Sequence, residues 1–197
     1  MNYLAHLLLA ENTPDSRIGN LLGDFVKGRI DQENSPYSPG IIKGIRTHFK
    51  VDAFTDTHEV FKQSKKRIYS SQGRFSGVLI DVFYDHFLAK NWDLFSSEKL
   101  ETFADNIYII LQKNYYLLPE KLQLILPRII LENWLVSYQK TEGIQQTCQR
   151  LGRRIKRPNH FAIAHHDLQQ NYPELERDFF SFFPQLVKYV EQNRHTF

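Results

Sequence analysis

Residues 48–56 read His48-Phe49-Lys50-Val51-Asp52-Ala53-Phe54-Thr55-Asp56, and this stretch indicates both the fold and the kind of site that the chain carries. A histidine and two aspartates recur at every fourth position, a spacing that stacks side chains along one face of an α-helix. The aromatic and aliphatic residues between them can anchor the same helix in a core. The polar row can be a solvated helix face or a set of metal ligands, and other polar residues of the chain bear on that choice.

Polar residues also interrupt the apolar patterns that precede this row. Residues 2–10 are almost continuously apolar and predict a buried helix, which places His6 inside the protein as a core or site histidine. After a turn at residues 13–16, a second helical pattern carries Asn20 and Asp24 among glycines. Their spacing lets Asn20 and Asp24 face one pocket, although Asp24 can equally be a surface carboxylate.

The apolar run at residues 78–88 contains Asp81 and Asp85, one helical turn apart. Carboxylates in such surroundings need a metal, a base or a dense set of hydrogen bonds, because an unpaired buried charge is costly. We therefore predict site roles for Asp81 and Asp85. His86 lies about 100° further round the same helix, so it can be a ligand, a proton donor or part of another face.

The rest of the sequence is helical in pattern and shows no strand-like alternation. We predict a loop over residues 31–40, a central helix that begins near Pro39, a helix cap within residues 55–57, and helices over residues 96–117, 120–139 and 141–151. Pro127 is expected to kink or break a helix, the phenylalanines of residues 179–183 to close the core, and His165-His166-Asp167 to lie on the surface. The predicted fold is all-α, a single-domain helical bundle over residues 1–197.

Composition narrows the function classes. The net charge of +3 is too small to indicate nucleic-acid binding, although clustered basic residues could meet an acidic partner. The single cysteine, Cys148, excludes an internal disulfide and a cysteine-rich zinc site and suits a reducing, cytoplasmic compartment. The apolar N-terminal segment is too short for a membrane span and has no basic leader. We predict no nucleic-acid partner and no membrane association.

The polar groups that interrupt these helices suit one divalent-metal site. Oxygen ligands with a few imidazoles favour Mn²⁺, Mg²⁺ or Fe²⁺ over a structural zinc. Such a metal polarises a phosphoryl oxygen and lowers the pKa of bound water, which points to phosphoester hydrolysis. The sequence has no glycine-rich phosphate loop and no Gly-x-Ser-x-Gly elbow that would indicate a different chemistry.

Four stretches resemble the acyl carrier protein phosphodiesterases. They are Met1-Asn2-Tyr3-Leu4-Ala5-His6-Leu7, Gly19-Asn20-Leu21-Leu22-Gly23-Asp24-Phe25-Val26-Lys27-Gly28, residues 48–56, and Asp81-Val82-Phe83-Tyr84-Asp85-His86-Phe87-Leu88. The resemblance covers nearly the whole chain and is most specific in the first half. It implies an all-α, divergent HD-hydrolase-like fold, removal of the 4′-phosphopantetheine arm from holo acyl carrier protein to give the apo protein, and a required divalent cation, Mn²⁺ or Mg²⁺.

The residues and the resemblance together lead to an assignment of roles. The candidate metal ligands are His48, Asp52, Asp81 and Asp85; the candidate catalytic groups are His6, Asp24 and His86; Asn20 and Asp56 are additional site candidates. Typical HD hydrolases carry an adjacent His-Asp pair in that order, whereas this chain carries Asp85-His86, so the resemblance does not fix which groups bind the metal.

Basic residues supply candidates for partner docking. Arg46 and Lys50 flank the central row, and Arg153 and Arg154 belong to the densest basic cluster of the chain. Either pair could attract the acidic acyl carrier protein that the resemblance implies. Two other functions remain open: an HD-type phosphohydrolase of a nucleotide or other small phosphoester, and a non-catalytic helical module that binds an acidic protein.

Overall fold

The computed structural model describes residues 1–26 and 35–196, and every regular element in those ranges is helical, which confirms the predicted all-α class. Residues 31–34 of the predicted loop, and Lys27 and Gly28, lie outside the described residues. The α-helices of the described ranges are α1 (Tyr3–Leu9), α2 (Pro14–Leu22), α3 (Pro39–Thr57), α4 (Glu59–Arg67), α5 (Tyr69–Gln72), α6 (Ser76–Lys90), α7 (Leu100–Lys113), α8 (Glu120–Leu131), α9 (Trp134–Ser137), α10 (Thr141–Arg154), α11 (Ala164–Gln170) and α12 (Tyr172–Asn193).

Helix α6 lies at the centre of the protein and contacts α1, α4, α10 and α12. Its aromatic residues Phe83, Tyr84 and Phe87 are fully buried. The buried apolar residues of the chain form one cluster around it. Because removing apolar surface from water is the main favourable term in folding, this strongly apolar helix is surrounded by four others. Asp85 is thereby fully buried, whereas the side chain of Asp81 is 25% exposed.

Helix α3 carries the polar row, and its start agrees with the sequence. Ser38 caps the helix by accepting the Ile41 N–H at 3.3 Å, and Pro39 occupies the first turn as predicted. The predicted cap within residues 55–57 is wrong, because α3 continues through Thr57. The next helix is capped instead by His58, whose Nδ1 accepts the Val60 N–H at 3.3 Å.

Two glycines hold α2 against α3 at very short range. A Cβ at Gly19 would overlap the backbone of Ile41, and a Cβ at Gly44 would lie 2.6 Å from the Ser16 carbonyl oxygen. These two helices share more contacts than any other pair among the described residues. This close approach places the α2 backbone beside the polar row of α3.

The predicted helix over residues 120–139 is wrong in its middle. Helix α8 ends before Asn133, which has a left-handed φ of 43°, and α9 begins at the next residue. The Tyr108 hydroxyl donates to Asn133 Oδ1 at 3.0 Å and accepts the Leu135 N–H at 3.1 Å, so the break is stabilised from α7. Pro127 lies inside α8, which continues past it.

Two further predictions concern the C-terminal third. Phe179, Phe182 and Phe183 are fully buried as expected, whereas Phe180 is 36% exposed. In the segment His165-His166-Asp167, the aspartate accepts hydrogen bonds from Ser71 and Gln72, each at 2.6 Å, and so connects α11 to α5. None of the helices in the described ranges combines the length and apolar character that a membrane span requires.

Candidate metal centre

The polar row of α3 meets a histidine from α1. The His6 and His48 rings stack with their centroids 3.8 Å apart. The Nε2 atom of His48 lies 3.1 Å from Asp52 Oδ2, and that of His6 lies 3.1 Å from Asp52 Oδ1. One potential ligand atom from each of the three residues lies within 4.8 Å of the others. Two imidazoles and one carboxylate, predicted from separate parts of the sequence, therefore form one cluster, which we call the His-His-Asp cluster.

The α2 backbone fixes the orientation of His48. Its Nδ1 lies 2.8 Å from the carbonyl oxygen of Asn20, and because a carbonyl can only accept, Nδ1 carries the proton. Nε2 is then the ring nitrogen that faces Asp52. Metal-binding histidines commonly have this arrangement, with the second ring nitrogen held by a backbone carbonyl. Asn20 was predicted as a site side chain, but its backbone makes this contact, while its amide donates to the Ser16 carbonyl at 3.0 Å.

His6 is buried and neutral. Burial, together with the neighbouring His48, lowers its pKa from 6.5 to about 3. Its Nε2 lies 3.1 Å from the Met1 carbonyl oxygen as well as from Asp52, and its Nδ1 is buried with no hydrogen-bond partner among the described residues. A neutral imidazole is the form that binds metal ions.

Asp52 is held in its ionised form by the groups around it. Burial disfavours its charge, but hydrogen bonds with His48 and His6, together with the Met1 ammonium, keep its pKa well below the usual range. The Met1 amino group lies 3.2 Å from Asp52 Oδ1 and 3.0 Å from Asp81 Oδ1. Burial opposes the charge of this amino group, yet Asp81 and Asp52 raise its pKa from 8.0 to about 11. The space between these two carboxylates thus favours positive charge.

Asp24 and Asp81 extend the cluster on two sides, and Asp56 lies one turn beyond Asp52. Asp24, in the turn after α2, lies 3.8 Å from His48 Nε2 and is 42% exposed. Partial burial raises the pKa of Asp24, and burial raises that of Asp81 on α6. Asp56 is exposed and acts electrostatically on Asp81, adding to the rise in its pKa. Three carboxylates therefore converge on one region with the two imidazoles.

The structure directs Asp85 and His86 away from this region. Asp85 accepts the backbone N–H groups of Leu4 and Ala5 at 2.8 and 3.1 Å, and so caps the N-terminus of α1, where Asn2 makes no side-chain cap. His86 binds the Tyr138 carbonyl oxygen through Nδ1 at 2.8 Å and the Tyr172 hydroxyl through Nε2 at 2.9 Å. The predicted ligand role of Asp85 and catalytic role of His86 therefore gain no geometric support. Of the ways in which a buried carboxylate can be stabilised, Asp85 uses hydrogen bonds, which it accepts from two backbone N–H groups.

These residues fit a divalent cation of the predicted kind. The His-His-Asp cluster supplies two imidazoles and an ionised carboxylate, and Asp24 and Asp81 supply further oxygen atoms within the same region. A mixed set of nitrogen and oxygen ligands suits Mn²⁺, Mg²⁺ or Fe²⁺. The Nδ1 atom of His6 is buried with no partner among the described residues, and the Met1 ammonium lies between Asp52 and Asp81. Both features favour the binding of a cation in this region.

A large cleft opens beside the cluster. Its volume is about 1060 Å³, and its lining includes Asp24, Asp52 and Asp81. Residues from α8 and α10 also line it, among them Leu124, Leu151 and Arg154. The carboxylates thus border a space that admits a substrate and that an arginine also lines.

The two basic pairs occupy different positions relative to this cleft. Arg154 lines it, and Arg153 is exposed beside it at the end of α10. Arg46 and Lys50 are exposed on α3. Each is two residues from His48, about 200° round the helix, so they project away from the face that forms the cluster.

Gly23 contributes to the site and was not assigned a role from the sequence. A Cβ at this position would overlap the ring of His48. The glycine lies directly before Asp24, in a right-handed helical conformation that other residues also adopt. In the sequence, the only signal is a glycine close to a helical pattern. The folded structure shows that this glycine is needed for space beside His48 and not for its backbone conformation.

Fold and site together define an all-α protein with a candidate divalent-metal centre in an open cleft. A profile of the acyl carrier protein phosphodiesterases matches residues 1–186. Proteins named acyl carrier protein phosphodiesterase from Photorhabdus laumondii and Yersinia enterocolitica are 32% and 33% identical to the chain, over 97% and 98% of its length and 96% and 100% of theirs. One from Escherichia coli is 28% identical over 95% of the chain and 96% of its own length. The chain belongs to the acyl carrier protein phosphodiesterase family. No solved structure matches it significantly.

Proposed function

We propose that this protein hydrolyses the phosphodiester bond that links 4′-phosphopantetheine to a serine of holo acyl carrier protein, giving apo acyl carrier protein. The observation that carries the proposal is the convergence of His6, His48 and Asp52 at the edge of an open cleft. Membership of the family, whose named members match nearly the full length of the chain, supplies the substrate class.

The His-His-Asp cluster would hold a divalent cation, Mn²⁺ or Mg²⁺, with Asp81 as a further oxygen donor. A cation bound there supplies polarisation of the phosphoryl oxygen and activation of water. The protein's contribution is to fix the ligands in place. Asn20 orients His48, and the Asp52 carboxylate contacts both imidazoles.

Asp24 is placed to donate the proton that the leaving serine oxygen requires. It is exposed to the cleft beside the cluster, and a carboxyl group whose pKa is raised by partial burial is a suitable proton donor. His6 is buried against Asp52 and the Met1 carbonyl, and both ring nitrogens of His86 are engaged elsewhere. Among the three candidate catalytic groups, Asp24 therefore has the best access to substrate.

Arg153 and Arg154 are the better placed docking residues for an acidic carrier protein. They lie at the cleft, where their charge can attract the partner and orient its phosphodiester, whereas Arg46 and Lys50 project away from it. Docking of the carrier protein at these arginines involves neither a nucleic acid nor a membrane.

We also propose that residues 1–197 form one catalytic domain. It would be a divergent relative of the HD hydrolases, with a His-Asp pair at positions 48 and 52 rather than an adjacent dyad. A cytoplasmic location suits the single cysteine, which is free and buried.

The direct test is a mass measurement of holo acyl carrier protein after incubation with the protein and Mn²⁺. The expected result is loss of one phosphopantetheine arm per carrier, with release of 4′-phosphopantetheine. Treatment with a chelator should abolish the reaction, and added Mn²⁺ should restore it. An unchanged carrier mass, with the protein folded and Mn²⁺ present, would refute the proposed function.

A further inference from the structure

A second, smaller cavity lies between the N-terminal residues, α8, α9 and α10. Its volume is about 220 Å³, and most of its lining surface is apolar. The apolar part includes Tyr3, Ile125, Trp134 and Leu151, and four arginines also line the pocket, among them Arg150 and Arg154. We call this cavity the α8–α10 pocket.

The pocket is continuous with the cleft that holds the metal centre. Both cavities are lined by Asn2, Tyr3, Ile125, Leu151 and Arg154. Arg154 therefore stands where they join. A molecule whose phosphate lies at the carboxylates could extend past Arg154 into the pocket.

Arg150 and Trp134 form a stacked pair in the wall of the pocket. Arg150 packs over the Trp134 ring, 4.4 Å from its centroid, and its Nη2 donates to Glu132 and Gln146. Its side chain is 13% exposed, and its Nη1 is buried with no hydrogen-bond partner among the described residues. The Arg150 guanidinium therefore forms a largely buried, positively charged part of the pocket wall.

We propose that the α8–α10 pocket binds the pantetheine portion of the substrate, with Arg154 beside the phosphate. This assignment rests on the proposed function. Pantetheine alternates aliphatic groups with two amides, and a mainly apolar and aromatic surface bordered by guanidinium groups suits that chemistry. The pocket would then distinguish the arm from a bare phosphodiester.

Calorimetric titration with free 4′-phosphopantetheine, and separately with inorganic phosphate, tests this assignment. The test variant is Leu151→Trp, which places a large ring at the junction of the two cavities. The matched control is Leu131→Trp on α8, where the wild-type leucine is 87% exposed and lines neither cavity. Thermal unfolding of both variants establishes that they are folded.

We expect 4′-phosphopantetheine to bind the wild type and Leu131→Trp at least about tenfold more tightly than phosphate, and Leu151→Trp to lose that preference. Equal affinity of the wild type for the two ligands would overturn the assignment without any variant. An unchanged preference in folded Leu151→Trp would also overturn it.

These outcomes are separate from those of the hydrolysis test. If the arm binds selectively but holo acyl carrier protein is not cleaved, the proposed function fails while the pocket assignment stands. If the carrier is cleaved but the free arm binds no better than phosphate, the proposed function stands and the pocket assignment fails.

Discussion

At the scale of single residues, the orientation of His48 determines what the site can do. Three neighbours set it: the Asn20 carbonyl oxygen holds Nδ1, Asp52 faces Nε2, and Gly23 leaves room for the ring. Two of these three act through backbone atoms or through the lack of a side chain. The ligand geometry of a histidine on α3 therefore depends on how closely α2 approaches it.

Gly23→Ala should displace the His48 ring without straining the backbone, because Gly23 has a right-handed helical conformation that alanine also adopts. We expect turnover to fall by about tenfold or more and the Mn²⁺ concentration for half-maximal activity to rise, as when groups that orient metal ligands are altered. The control is Gly77→Ala, where a Cβ would lie at an ordinary 3.5 Å from Lys65. Mn²⁺ dependence of turnover that is the same in both variants would contradict this role.

Asp24→Asn separates proton donation from metal binding. If Asp24 protonates the leaving serine oxygen, its replacement should lower kcat by about a hundredfold, within the range typical of general acids, with little change in KM for the carrier. Mn²⁺ affinity should change far less than in Asp52→Asn. The matched control is Asp105→Asn, at an exposed position on α7. A normal kcat for folded Asp24→Asn would remove this residue from the proposed chemistry.

At the scale of secondary-structure elements, helices α3 and α6, which carry much of the site, could be predicted better than helices α8 and α9. The start of α3 follows from Ser38 and Pro39, and the buried position of α6 follows from its apolar run. The break between α8 and α9 could not be predicted, because it depends on Asn133 in a left-handed conformation and on a tyrosine from α7. Such tertiary contacts override local helical pattern.

The α8–α9 break makes its own prediction about stability. Asn133→Gly retains access to the left-handed conformation, although it loses the bond from Tyr108, whereas Asn133→Val adds a β-branched side chain that disfavours it. We expect the valine variant to unfold at a clearly lower temperature than the glycine variant, a difference of about 1–2 kcal/mol in the free energy of unfolding. Equal melting temperatures would show that the conformation of residue 133 does not limit stability.

At the scale of the whole molecule, residues far apart in sequence form the site. His6, Asp52 and Asp81 were predicted separately, and the packing of α1, α3 and α6 brings them together. The sequence could not show that Asp85 caps α1 instead, because a carboxylate in an apolar run can be satisfied by a metal or by backbone N–H groups. Periodicity identifies which groups are buried, and tertiary packing decides their partners.

The distribution of charge around the molecule predicts how the carrier protein docks. Turnover at sub-saturating holo acyl carrier protein should fall as salt concentration rises, because screening shortens the reach of the attraction to about 8–10 Å near physiological ionic strength. Arg153→Glu, beside the cleft, should raise KM more than Arg46→Glu on the far side of α3. Salt-independent turnover, or an equal effect of the two charge reversals, would contradict docking through the end of α10.

The central claim is that the His-His-Asp cluster binds the catalytic metal, and calorimetric titration of Mn²⁺ into the wild type and Asp52→Asn tests it most directly. Asn closely matches the shape of Asp but has no charge, so the variant should stay folded and lose Mn²⁺ binding together with turnover. Asp105→Asn, treated identically, should bind as the wild type does. Undiminished Mn²⁺ binding by folded Asp52→Asn would contradict the account.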